Sequence, residues 1–291
     1  MTDSPQPTLS QVRAEVILAL SAAGVPDAEV DADLLIGHVL GASRGRVQAL
    51  AVSDAPLSTV QHASIREVAD RRAAREPLQH ITGTAAFRSI ELEVGPGVFV
   101  PRPETEVVAQ FAIDALAASA LPQPIAVDLG TGSGAIALAM AVEVPRARVF
   151  AVENSADAVV WTRRNLRRIG AENATVVVGD LADALPELDG TASVVISNPP
   201  YVPADAVPRD PEVRLFDPPQ ALYGGPDGLD VVRLVSRTGL RLLHSGGTLV
   251  IEHGELQGDE IRTLLGADGW RATATHQDLT SRDRATTAIR P

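Results

Sequence analysis

The tetrapeptide Asn198-Pro199-Pro200-Tyr201 closes the apolar run Ala192-Ser193-Val194-Val195-Ile196-Ser197 and is the densest chemical signal in the chain. Neither proline carries a backbone N–H, and each biases the residue before it toward an extended conformation. A buried strand therefore stops pairing here and delivers the Asn198 side chain to its open end. The amide oxygen and the carbonyls beyond it are acceptors, with no donor near them except the Asn NH2. Such a set suits a neutral planar group with two N–H bonds, a carboxamide or an exocyclic amine, whose nitrogen lone pair is left free. It would hold an anion poorly. For an arbitrary Pro-Pro the plain reading is a strand-ending turn with a stacked tyrosine, so the rest of the chain has to decide.

A second constellation is Val127-Asp128-Leu129-Gly130-Thr131-Gly132-Ser133-Gly134, running from a strand into a helix. Its glycines let the backbone turn sharply and lie against a flat ligand. With Ala135 it also fits the G-x-G-x-x-A fingerprint of a nicotinamide dinucleotide. Glu153, 19 residues past Gly134, is placed for two ribose hydroxyls under either reading. Three residues favour S-adenosylmethionine. Asp128 suits a cofactor carrying an ammonium and a sulfonium rather than a pyrophosphate. Asp180, in Gly179-Asp180-Leu181, can accept from an adenine amino group, and Asn198 borders the same cleft. Taken singly, Asp128 and Asp180 read as strand-end caps; their placement after consecutive strands argues for a shared ligand.

Composition removes rival chemistries. The chain has no cysteine, and all 25 basic residues are arginine. Thiol nucleophiles, disulfides, Schiff-base lysines and phosphate-loop lysines are thereby excluded. His38, His62, His80, His244, His253 and His276 lack metal-site spacing, so no metal is expected. A formal net charge of −12 argues against a broad grip on nucleic-acid phosphates. Arg71, Arg72 and Arg75, and Arg163, Arg164, Arg167 and Arg168, read as solvated helix faces. Met1 to Leu9 is polar and no run reaches the ~18 apolar residues of a membrane span, so a cytoplasmic protein is expected.

These residues need elements to hold them. Leu9 to Ala23, Asp27 to Leu40, Gly45 to Val52 and Leu57 to Arg75 show helical spacing, with Asp27 and Ser58 as caps and Gly24 or Gly41 as stops. The expected domains are a helical one over 1–80, a β-hairpin linker over 81–103 and a catalytic one over 104–291. From Glu104 helices and strands alternate: helix to Ala118, strand Ile125 to Leu129, helix Ala135 to Val142, strand Arg148 to Glu153, helix Ala156 to Ile169, strand Ala174 to Val178. After the Ala192 to Ser197 strand come a helix Leu229 to Leu243, a strand Gly247 to Glu252 and a helix Leu256 to Leu265. Trp270 to His276 and Arg284 to Ile289 read as an antiparallel closing pair. The fold class is α/β, a doubly wound, mostly parallel sheet with ligands at the carboxyl ends of its strands.

The glycine loop, Glu153 and the Asn198-Pro199-Pro200-Tyr201 tetrapeptide resemble class I methyltransferases that modify planar nitrogens. Arg75-Glu76-Pro77-Leu78-Gln79-His80-Ile81-Thr82-Gly83, Pro101-Arg102-Pro103-Glu104-Thr105-Glu106 and Tyr223-Gly224-Gly225-Pro226-Asp227-Gly228-Leu229 narrow the resemblance to the release factor glutamine methyltransferase family, over roughly residues 70 to 290. The resemblance implies a seven-stranded Rossmann-like sheet and methyl transfer from S-adenosylmethionine, giving S-adenosylhomocysteine, to the N5 of the glutamine in the Gly-Gly-Gln motif of class 1 peptide release factors. It implies that Asp128, Gly130, Thr131, Gly132, Ser133, Gly134, Glu153, Asp180, Leu181 and Asn198 line the cofactor. Asn198, Pro199, Pro200 and Tyr201 would hold the glutamine, with Asn198, Pro199 and Tyr201 catalytic. Leu181 stands where relatives often have an aromatic, weakening stacking on adenine, and Glu153 replaces a frequent aspartate.

By the same analogy the amino-terminal helices dock the release factor; the bland alternative is that they only cover the catalytic domain. A monomer that needs neither membrane nor nucleic acid is expected. The rival readings are a glutamine methyltransferase of a ribosomal protein and an adenine N6 methyltransferase of DNA or RNA. The latter normally needs base extrusion and a basic, aromatic groove, against 3% aromatics here. A silent cofactor-binding adaptor and a nicotinamide dehydrogenase are the remaining alternatives.

Overall fold

A computed structural model describes residues 6–291; the polar segment Met1 to Pro5 lies outside it. The chain divides into two compact units, one formed by residues through Gly83 together with Arg209–Phe216, the other by Thr84–Pro208 and Asp217–Pro291.

The first unit contains α1 (Leu9–Ala22), α2 (Ala28–Leu40), α3 (Arg44–Val52), α4 (Thr59–Ala73) and α5 (Leu78–Thr82). Thr8 and Ser58 cap α1 and α4 through reciprocal bonds with Gln11 and Gln61. Leu9, Leu20, Leu35, Ile36 and Ile65 form its core. Arg72 is buried, contrary to the expected solvated face: its Nε donates to Asp31 at 2.7 Å and its Nη1 to Glu212 at 2.8 Å. Arg75 closes on the same Glu212 with Nε at 2.9 Å and Nη2 at 2.6 Å. These two arginines fix Arg209–Phe216, a segment distant in sequence, within this unit. Helix α5 takes in Ile81 and Thr82, which the sequence assigns to the linker, because Pro77 starts a further turn that ends at Gly83.

The second unit opens with the hairpin β1 (Thr84–Phe87) and β2 (Ile90–Glu93). There follow α6 (Pro103–Ala118), β3 (Ile125–Leu129), α7 (Ala135–Glu143), β4 (Arg148–Glu153), α8 (Ala156–Ile169), β5 (Ala174–Val178) and β6 (Ala192–Ser197). The short helices α9 (Pro211–Phe216, in the first unit) and α10 (Pro219–Leu222) precede α11 (Asp230–Leu242), β7 (Leu243–Glu252), α12 (Gly258–Ala267), β8 (Arg271–Gln277) and β9 (Asp283–Ile289). The sheet runs β5-β4-β3-β6-β7-β9-β8. The first five strands are parallel, and β9 lies antiparallel between β7 and β8. β6 is buried at every position, as its unbroken apolar sequence requires of a strand covered on both faces. One core, including Val108, Ala112, Leu138, Met140 and Ile196, fills one face of the sheet, and another, including Leu129, Val195, Val235, Leu249 and Ile261, fills the other. The chain winds outward from β3 to β5, then returns to β6 beside β3, which sets the switch point at the carboxyl ends of β3 and β6.

Candidate active site

The loop after β3 is shaped by Gly130, Gly132 and Gly134, whose φ values are +74°, +59° and +88°. A Cβ on Gly130 or Gly132 would meet nothing within 4 Å, so glycine serves conformation there and the backbone lies open to a ligand. The amides of Gly130 and Thr131 both donate to the Val152 carbonyl at 2.9 Å, locking the loop to β4. Asp128 Oδ2 accepts from Thr131 Oγ1 at 2.6 Å and from the Ala137 amide at 3.1 Å. Its Oδ1 is buried and has no partner among the described residues, and burial pushes the carboxyl up to about 7. Ser133 is buried with Thr131 beneath the open edge.

Glu153, at the tip of β4, accepts from Gly132 N at 2.8 Å with Oε2 and from Asn154 N and Ser155 N at 3.0 and 2.9 Å with Oε1. Asp180, just past β5, is exposed and accepts from Ala182 N at 2.9 Å; Leu181 beside it packs against the core. Since β5, β4, β3 and β6 are neighbours in that order, Asp180, Glu153, the glycine loop and Asn198 fall along one edge. A groove of about 760 Å³ lined by Gln123, Arg148, Asn173 and Thr175 lies at the opposite, amino edge and gathers no comparable chemistry.

At the end of β6, Ser197 Oγ donates to the Leu129 carbonyl at 2.6 Å, holding the tetrapeptide beside the glycine loop. The Asn198 Nδ2 lies 3.5 Å from Thr105 Oγ1. With the amide nitrogen turned to Thr105, Oδ1 takes the other branch. Among the described residues no donor bonds the Pro199 carbonyl. Tyr201 is clamped at its carbonyl by Gln257 Nε2 at 3.0 Å, and burial followed by the nearby Glu252 charge raises its hydroxyl pKa.

The Tyr223-to-Leu229 motif backs this loop. Val202 N donates to Leu222 O at 2.8 Å, Gly224 N to Val202 O at 2.9 Å and Ala204 N to Gly225 O at 2.9 Å. A Cβ on Gly224 would stand 2.4 Å from the Pro200 carbonyl oxygen, and one on Gly228 2.3 Å from that of Tyr201. Small residues are thus required for the tetrapeptide to lie where it does.

Two family descriptions match the chain, the PrmC N-terminal domain over residues 11–83 and the methyltransferase small domain over residues 90–219. A Streptomyces coelicolor release factor glutamine methyltransferase is 48% identical, with 94% of this chain and 95% of the relative covered. The chain belongs to the release factor glutamine methyltransferase family. A Bifidobacterium longum member is 45% identical over 93% of this chain and 95% of the relative. A 4-amino-L-phenylalanine/4-methylamino-L-phenylalanine methyltransferase of Streptomyces pristinaespiralis is 38% identical over 98% of this chain and 96% of the relative. In fold the chain is similar to a T. thermophilus 16S rRNA methyltransferase in complex with AdoMet and guanosine, with a TM-score of 0.53 and 20% identity over 72% of this chain and 50% of that one. The nicotinamide reading of the glycine loop falls, because the family is S-adenosylmethionine-dependent.

In this member of the release factor glutamine methyltransferase family, several supporting residues escape a reading by motif. Thr162 Oγ1 donates to the Gly132 carbonyl at 2.7 Å, and the fully buried Asn165 Nδ2 donates to Ser133 O and Glu93 O, each at 2.9 Å. Both sit in Trp161-Thr162-Arg163-Arg164-Asn165-Leu166-Arg167-Arg168, where four exposed arginines hide the inward stripe. Thr105 and the buried Glu252 reach the tetrapeptide from α6 and β7. The only sequence signal for them was the Pro101-to-Glu106 motif and the acidic end of the Gly247 to Glu252 strand. No helix is long and apolar enough to cross a membrane among the described residues.

Proposed function

We propose that this protein transfers the methyl group of S-adenosylmethionine to the side-chain amide nitrogen of the glutamine in the Gly-Gly-Gln motif of class 1 release factors. One observation carries the reading: among the described residues nothing donates to Asn198 Oδ1 or to the Pro199 carbonyl, two acceptors at the β3/β6 switch point beside an open glycine cradle.

The residues fit the cofactor. The open faces of Gly130 and Gly132 accommodate it, the buried and partnerless Asp128 Oδ1 complements its positive charge, and Glu153 retains lone pairs for ribose hydroxyls. Thr131 and Ser133 hold the loop, and Asp180 and Leu181 would hold the adenine, Asp180 by accepting from its amine and Leu181 by apolar contact. When bound, S-adenosylmethionine supplies an electrophilic methyl carbon on its sulfonium. Asn198 Oδ1 and Pro199 O each accept one N–H of the glutamine amide, fixing the nitrogen and polarising it with its lone pair outward. Pro200 keeps the backbone extended and Tyr201 closes the pocket on the amide plane. Orientation of this kind supplies several kcal/mol of barrier reduction, up to about 7–11 in favourable intramolecular cases, with no strong base, because the alkylated nitrogen is acidic and releases its proton to water after the methyl has moved.

Incubation with cofactor and a purified release factor, followed by mass spectrometry of the tryptic peptides, tests the substrate. One methyl on the Gly-Gly-Gln glutamine supports the reading; methyl transfer only to a ribosomal protein, adenine or 4-aminophenylalanine refutes it. Asn198→Ala is expected to lose single-turnover transfer by about two to three powers of ten with cofactor binding retained, and a near-wild-type rate would overturn its role.

The helical unit docks the factor away from its glutamine, and the enzyme acts as a monomer in the cytoplasm without nucleic acid. Leu18, Val52 and Val60 are exposed on that unit at 70, 89 and 75%. Replacing them with serine should reduce activity on intact factor and leave a short glutamine peptide unaffected; equal losses on both would contradict docking.

A further inference from the structure

Glu252 ends β7, is 1% exposed, and its Oε2 has no hydrogen-bond partner among the described residues. β6 and β7 are parallel and in register at Ser197 and Ile251, so the next residues, Asn198 and Glu252, emerge side by side with strands about 4.8 Å apart. Thr105 comes from α6, which packs on both strands, and it and Asn198 both act on the Glu252 carboxyl by hydrogen bonding. The other charged or titratable groups facing that carboxyl are Arg284 of β9, Glu104 of α6 and Tyr201 after β6. His253, next in the chain, is held by Gly254 O at 2.8 Å and Thr286 Oγ1 at 2.9 Å, and burial lowers its pKa.

An asparagine amide fits its pocket two ways, and a threonine hydroxyl, both donor and acceptor, tolerates either. A carboxylate accepts only. When Glu252 takes the one Thr105 hydroxyl proton, Oγ1 is left to accept, and only Asn198 Nδ2 can donate to it. We propose that Glu252 is a positioning residue, which acts on Asn198 directly and through Thr105 to point Asn198 Oδ1 at the incoming amide. A protonated Glu252 can donate instead, which removes the constraint and lets the Asn198 amide flip to present a donor to a donor. Burial raises the Glu252 carboxyl to about 7, opposed by Thr105, Arg284 and Asn198. The device therefore engages as pH rises through neutrality.

This inference rests on Asn198 Oδ1 being the acceptor, and the experiment separates the two. Single-turnover methyl transfer to a purified release factor is followed from pH 6 to 9 for wild type, Glu252→Gln, Thr105→Val, Thr105→Ser and Asn198→Ala, with cofactor affinity measured by calorimetry. Glu252→Gln and Thr105→Val are expected to lower kcat about 10–100-fold, in line with loss of an orienting partner, with KM and cofactor Kd unchanged. Thr105→Ser, which keeps the hydroxyl, should restore the rate. The wild-type rise through about pH 7 should be absent from Glu252→Gln. A wild-type rate and pH profile for Glu252→Gln, or a Thr105→Ser loss as large as that of Thr105→Val, would overturn the proposal while an inactive Asn198→Ala leaves the acceptor reading standing. An active Asn198→Ala would remove both. Should Glu252→Gln fail to fold, the Thr105 pair decides alone.

Discussion

Gly224→Ala isolates the geometry of the tetrapeptide from its chemistry. The added Cβ would lie 2.4 Å from Pro200 O and 2.5 Å from Gly228 O, where 3.0 Å is essentially never undercut. Both obstacles are backbone, so a side chain cannot swing away, and the Pro200 carbonyl must retreat by about 0.6 Å. A 1 Å misplacement near reacting atoms costs about 100-fold. We expect single-turnover transfer to fall about 10–100-fold, cofactor affinity to stay within about twofold because the glycine loop is untouched, and overpacking to cost about 1–3 kcal/mol. Gly45→Ala is the control: a Cβ there meets nothing within 4 Å, and α3 should gain slightly. Quenched-flow transfer, calorimetric titration with cofactor and thermal melts read the three quantities. A Gly224→Ala enzyme with the wild-type transfer rate would refute the claim that this motif sets the tetrapeptide.

The remaining predictions concern charge. Glu153→Ala strips an acceptor from Gly132 N, Asn154 N and Ser155 N; with charged hydrogen bonds worth about 1.5–3 kcal/mol, calorimetry should show cofactor binding weakened about 10–100-fold. Glu252 titrates near 7 in the folded state against 4.5 ordinarily, so the unfolded chain releases its proton first and the folded state loses stability as pH rises between those values, by at most about 3 kcal/mol. Glu252→Gln should therefore melt several degrees above wild type at pH 8 and level with it near pH 4; identical melts at pH 8 would contradict the buried charge. Burial pushes the Glu212 carboxyl up, but bonds from Arg75 and Arg72 outweigh this and bring it to about 2. Its stabilisation is present above pH 4.5 and fades as pH falls toward 2. Glu212→Ala should cost about 2–4 kcal/mol at pH 7 by urea denaturation, since it deprives the buried Arg72 of a partner.

Local chemistry and the order of elements were already written in the amino-acid sequence. Prolines, glycines and apolar periodicity act over a few residues, so the strand ending at Asn198, the Gly130-to-Gly134 turn and the β3-to-β5 alternation were legible within one or two positions. The helix ends at Ser58 and Gly41 were equally local. Tertiary structure decided what depends on pairing across distance. Nothing in the run of residues says that β9 enters between β7 and β8, because an antiparallel return can pair on either side of its neighbour. Arg72 looks like surface charge until Asp31 and Glu212 meet it from elsewhere in the chain. The unpaired acceptors were visible as residue types, whereas their orientation was not: it takes a strand register to set Glu252 beside Asn198 and a helix packed on both strands to bring Thr105 between them. Hydrogen-bond direction is a property of three groups in contact, and only the folded chain brings the three together.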